Sequence, residues 1–98
     1  MAQSKLSTEL KTEFKKPKMY VVIMHNDDYT TMQFVVQILM QIFNKSAEDA
    51  STLMMKIHTT GSAIVGKYTY DIAVTKKLLA EQMAEKEGFP LKMTIDEE

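Results

Sequence analysis

Met19-Tyr20-Val21-Val22-Ile23-Met24-His25-Asn26-Asp27-Asp28-Tyr29-Thr30-Thr31-Met32-Gln33-Phe34-Val35 contains an apolar run, a polar corner and the start of an amphipathic helix. The run from Met19 to Met24 is apolar on both faces of an extended chain, which predicts a central strand. Asn26, Asp27 and Asp28 then concentrate an amide and two carboxylates at one turn. A turn needs one such residue, so three in succession suggest that the corner also binds something.

Working outward, Thr30 reads as a helix N-cap, with Gln33 completing a capping box. The spacing predicts a first helix from Thr31 to about Asn44, with Phe34, Val35, Ile38, Leu39, Ile42 and Phe43 inward. Ser46 and Asp49 repeat the box before a second helix with Ala50, Leu53, Met54 and Ile57 inward. That helix stops near His58, ahead of a terminating Gly61. Ala63 to Tyr68 reads as a strand interrupted by Gly66. Thr69 opens a third helix whose apolar side is Ile72, Ala73, Leu78, Leu79 and Met83. Gly88 ends it, and Leu91 to Ile95 alternates as a half-exposed strand. The predicted fold is α+β, in the order β-α-α-β-α-β, with three helices packed on a small three-stranded sheet.

The chain has 98 residues, no cysteine and a formal net charge of −1. One small domain is the expectation, without disulfides or thiolate chemistry. No basic stripe invites nucleic acid. No apolar stretch approaches the roughly 20 residues of a membrane span, and residues 1–18 lack the apolar segment of a secretory signal. A cytoplasmic, soluble protein is expected. Residues 1–17, closed by Pro17, read as a flexible tail, and 18–98 as the folded domain. Leu6, Leu10 and Phe14 give the tail only a thin apolar stripe.

Each candidate site residue has a plainer reading beside the functional one. Asn26, Asp27 and Asp28 can simply shape the turn, or they can hold an ammonium or guanidinium group against the unfavourable dipole of the helix start. His58 can cap helix carbonyls, or it can face the acidic loop as a neutral acceptor. His25 is read as incidental. Met24, Met32, Met54 and Met55 can be core filling, or together an adaptable apolar pocket. Two aspartates and one distant histidine are too few for zinc, and the spacing is not that of a calcium loop. No nucleophile elbow or glycine-rich loop accompanies them. No enzyme, metal or cofactor is expected.

The opening stretch, continued by Leu53-Met54-Met55-Lys56-Ile57-His58, Gly61, Gly66-Lys67-Tyr68-Thr69, Thr75-Lys76 and Pro90-Leu91, resembles the ClpS adaptor family across essentially the whole globular part. The resemblance implies the same β-α-α-β-α-β fold. It also implies a monomeric adaptor that binds substrates with N-terminal Leu, Phe, Tyr or Trp and hands them to the N-terminal domain of a ClpA- or ClpC-type AAA+ unfoldase feeding a protease. By position, Asn26, Asp27 and His58 match the residues that hold the substrate's α-amino group, with Asp28 supporting the loop. Met24, Thr30, Met32, Val35, Met54, Ile57 and Leu91 match the pocket for the first side chain, and Met32 matches a gate that crowds β-branched residues. Asp71 and Lys76 match the unfoldase contact, where the acid is usually Glu. Thr31 stands where proline is common at the first helical position. The tail matches the family's mobile extension in kind, though it is somewhat short. The alternative is a regulator of the unfoldase with a degenerate amine site. A metal-dependent hydrolase is the remote third reading.

Overall fold

The apolar run after Met19 forms strand β1 (Tyr20–His25), the middle strand of an antiparallel sheet ordered β2-β1-β3. The computed structural model describes residues 16–98. In chain order the elements are β1, α1 (Met32–Gln41), α2 (Ala47–Thr60), β2 (Ser62–Tyr68), α3 (Tyr70–Lys86) and β3 (Lys92–Glu97). The tail expectation for residues 1–15 lies outside the described residues, and the β-α-α-β-α-β order is as read from the sequence.

Strand alternation decides where the core sits. Val22 and Met24 of β1, Ala63 and Val65 of β2, and Met93 of β3 are buried on the helix-facing side. Ile64, between Ala63 and Val65, is exposed on the other face. From the helices come Phe34, Val35, Ile38 and Leu39 of α1, and Ala50 and Ile57 of α2. Ile42 and Phe43, just past α1, complete this cluster. Each large apolar side chain so buried contributes about 1.5–3 kcal/mol, and these contacts set where the helix starts lie relative to the strand ends.

The expected break at Gly66 is a bulge within a continuous strand. Val22 pairs with Gly66 and Ile23 with Ile64, which leaves Val65 as the extra residue. A Cβ at Gly66 would overlap the ring of Tyr68, so the glycine lets that ring fold back along its own strand. Burial raises the Tyr68 phenol above its ordinary pKa.

Four sequence expectations change. The N-cap of α1 is Thr31, whose hydroxyl accepts from the Phe34 N–H at 3.1 Å; Thr30 is bound elsewhere, and Thr31 is not the first helical residue. This helix ends at Gln41, and the chain then turns through a left-handed Asn44 at φ 58°. Helix α2 runs on to Thr60 before Gly61, which at φ 98° sends its N–H to the Ile57 carbonyl at 2.9 Å. The inward stripe of α3 is Ala73, Ala80 and Ala84, while Ile72, Leu78 and Leu79 are exposed. The alanines let the helix lie close over the strands, and the leucines fall off that contact line.

Helix α3 ends in a Schellman motif. The Gly88 N–H reaches the Glu85 carbonyl at 3.0 Å, and the Phe89 N–H reaches that of Ala84 at 2.9 Å. The Phe89 ring then meets Phe34 edge-on at 5.1 Å between centroids, fastening the end of α3 to the start of α1.

Candidate functional site

The loop between β1 and α1 is organised by one carboxylate. Oδ1 of Asp27 accepts from the backbone N–H groups of Tyr29 (2.8 Å) and Thr30 (2.6 Å), and its Oδ2 accepts from the Thr30 hydroxyl at 2.7 Å. Thr30 is thereby taken from the helix cap, and Thr31 fills that role. Burial pushes the Asp27 carboxyl up, but the Thr30 hydroxyl and the two N–H donors outweigh it and hold the pKa below the ordinary value. The start of the loop is tied separately, by the Asn26 N–H to the Gly61 carbonyl at 2.8 Å.

Between this loop and the two helices lies an open cavity of about 390 Å³, a size usual for small-ligand sites. Helix α1 contributes Met32 and Val35, three residues apart and so on one face. Helix α2 contributes Met54, Ile57 and His58, again on one face by spacing. The loop contributes Asn26, Asp27, Asp28, Tyr29, Thr30 and Thr31. Val35 and Ile57 are buried and floor the cavity, Met54 is half-buried, and Met32 and His58 are exposed.

The structure thus brings together the loop residues, His58, Met32, Val35, Met54 and Ile57, which the resemblance had grouped. It does not bring Met24 or Leu91 to the wall; both are buried among core residues. Tyr29 and Thr31 line the cavity without having been singled out. The available signal was their place in the same loop, together with Tyr29's large ring in a polar segment; it is 74% exposed. His25 points its Nε2 to the Thr94 hydroxyl at 2.8 Å and does not line the cavity.

Chemically the wall is one-sided. An amide, two carboxylates and an imidazole offer acceptors beside thioether and aliphatic surface, and among the described residues no lysine or arginine lines it. Such a site suits a compact cationic donor with an apolar group attached. Among the described residues, no group of three or more His, Cys, Asp or Glu side chains could hold a metal ion.

The model of the family described as ATP-dependent Clp protease adaptor protein ClpS matches residues 15–94. The chain belongs to the ClpS family. It is 52% identical over 90 residues to the ClpS adapter protein of Acetivibrio thermocellus, covering 92% of this chain and 91% of that one. Against the ClpS of Desulforapulum autotrophicum it is 50% identical over 96 residues, covering 96% and 92% of the two chains. A solved structure of Agrobacterium tumefaciens ClpS2 bound to L-phenylalaninamide superposes with a TM-score of 0.81 at 40% identity, covering 85% of this chain and all of that one. As a ClpS-family member the protein is an adaptor of Clp protease and not an enzyme.

Asp71 and Lys76, expected to form the unfoldase contact, do not line the cavity. Asp71 is exposed in the first turn of α3. The adjacent Tyr70 stacks edge-on with Tyr20, at the opposite end of β1 from Asn26. Lys76 is half-buried, donates to the Ile42 carbonyl at 2.6 Å and lies over the Tyr68 ring at 5.2 Å. Its ammonium caps the end of α1. No described helix is long and apolar enough to cross a membrane.

Proposed function

We propose that this ClpS-family adaptor recognises N-degrons. It binds proteins that begin with Leu, Phe, Tyr or Trp and delivers them to a ClpA- or ClpC-type AAA+ unfoldase for proteolysis. The observation that supports this most is the one-sided cavity, with acceptors and apolar surface but, among the described residues, no lysine or arginine on its wall. An α-amino group, with a pKa of about 8, is largely cationic at neutral pH and supplies the matching donors. The phenylalaninamide held by the Agrobacterium relative has a free amine, an aromatic side chain and an amide in place of the next peptide bond.

In this reading Asn26 and His58 accept hydrogen bonds from the α-amino group. Asp27 attracts the same group, directly or through a water. A carboxylate offers about four acceptor positions; three of Asp27's go to the loop, so its part is charge and loop shape with at most one direct bond. Asp28 supports it with a second negative charge. The first side chain packs on Met32, Val35, Met54 and Ile57 beside Thr30, with Met24 and Leu91 as a buried layer behind them. That burial, about 1.5–3 kcal/mol for Leu or Phe, rejects small and polar first residues.

The unfoldase's N-terminal domain meets the exposed Asp71 and the half-buried Lys76, whose bond to the Ile42 carbonyl fixes its position. The exposed Ile72, Leu78 and Leu79 of the same helix add apolar area for a partner. With a Clp protease as its destination, this reading gives the adaptor a cytoplasmic setting. Fluorescence anisotropy of labelled peptides differing only in the first residue tests the specificity. Leu, Phe, Tyr and Trp bind and Ser and Asp do not; equal binding throughout contradicts the reading.

A further inference from the structure

Nine methionines and no cysteine make thioethers the principal oxidisable groups of this chain. Three described methionines are well exposed: Met32 at 43%, Met40 at 40% and Met55 at 45%. Of these only Met32 lines the cavity. Met54 is also on the wall but half-buried, and Met24 is fully buried. Among the described residues, Met32 is therefore the wall thioether most open to a small oxidant from solvent.

The thioether sulfur attacks one oxygen of a peroxide and the O–O bond breaks. Sulfur is oxidised by two electrons to the sulfoxide, and the proton left on the transferred oxygen moves to the departing hydroxide, giving water. The product is polar and chiral where the thioether was apolar and pliable. Placed beside Val35, Met54 and Ile57, the S=O dipole faces the surface against which the first side chain packs, and an apolar side chain cannot satisfy it.

We propose that Met32 is a peroxide-sensitive modification site whose oxidation to the sulfoxide switches off recognition of apolar first residues, and whose reduction restores it. This rests on the N-degron reading of the same cavity. Met40 and Met55 serve as built-in controls, equally exposed but off the wall.

The test uses the full chain and a labelled peptide beginning with Leu. Anisotropy is recorded before hydrogen peroxide, after it, and after repair with methionine sulfoxide reductases A and B, while peptide-mapping mass spectrometry locates the added oxygen. The expected result is oxygen on Met32, binding weakened roughly tenfold or more, and recovery on repair. A Met40→Leu/Met55→Leu variant stays as sensitive as the parent. Met32→Leu, judged against its own untreated binding, loses the sensitivity. Oxidation of Met40 and Met55 without Met32, or oxygen on Met32 with unchanged binding, or undiminished sensitivity in Met32→Leu, overturns the proposal alone. Absence of binding before peroxide overturns the N-degron reading, and this proposal with it.

Discussion

The Asn26 N–H donates to the Gly61 carbonyl at 2.8 Å, and this bond joins the two parts of the cavity that come from distant sequence. Asn26 begins the acidic loop, and Gly61 ends the helix that presents His58 three residues earlier. The spacing between the amide and imidazole acceptors is thus set by a backbone contact and not by either side chain. A site built this way is arranged before any ligand arrives, which lowers the ordering cost of binding.

Asp27 holds the loop, and its contribution depends on ionisation. Its folded pKa lies below the ordinary value of 3.8, so the stabilisation is full above the unfolded pKa and is lost as pH falls through the folded one. The loop stays latched at neutral and mildly acidic pH. Asp27→Ala should destabilise the protein by about 1 kcal/mol, the usual effect of removing a capping side chain, and also weaken binding. Urea unfolding of the two proteins at neutral pH and in strong acid measures this, and the difference should shrink in acid.

Gly66→Ala is expected to displace the Tyr68 ring, because the added carbon would overlap it. Loss of that packing costs about 1–3 kcal/mol. Burial now holds the phenol pKa up, so the displaced ring should titrate at a lower pH. Absorbance titration of the phenols, with Tyr68→Phe to assign the signal, checks the direction.

Met32 stands in the first turn of α1 on the cavity wall. If Met32 is the gate that the proposed function makes it, Met32→Ala removes the group that crowds side chains branched at Cβ. Peptides beginning with Ile or Val should gain affinity, by roughly tenfold, while those beginning with Leu lose a little. Anisotropy across the series measures it; unchanged Ile and Val binding would remove Met32 from the role of gate.

In the proposed reading His58 supplies an acceptor to the amine. Glutamine offers a side-chain carbonyl in its place, so His58→Gln should keep part of the peptide affinity that His58→Ala loses. Anisotropy of the two variants measures it, and an equal loss in both would separate His58 from the amine.

The order of elements and the central place of β1 could be read from the sequence because strand and helix periods differ and three glycines punctuate the chain. The loop stood out by composition alone. What failed had physical reasons. Thr30 and Thr31 are chemically equivalent caps, and only the Asp27 carboxylate, by taking the Thr30 hydroxyl, decides between them. On α3, hydropathy favours Ile72, Leu78 and Leu79, yet close approach to the sheet selects Ala73, Ala80 and Ala84. Met24 and Leu91 are apolar and near the site, and a sequence does not separate a wall from the layer behind it. Lys76 reads as a surface charge until the fold brings the Ile42 carbonyl within its reach.

Amine recognition is tested most directly by anisotropy of a labelled peptide beginning with Leu or Phe, measured beside its N-acetylated twin. The free-amine peptide should bind, and acetylation, like His58→Ala, should abolish binding. Equal binding of the twins would contradict an amine-reading site and leave a regulator of the unfoldase as the better description.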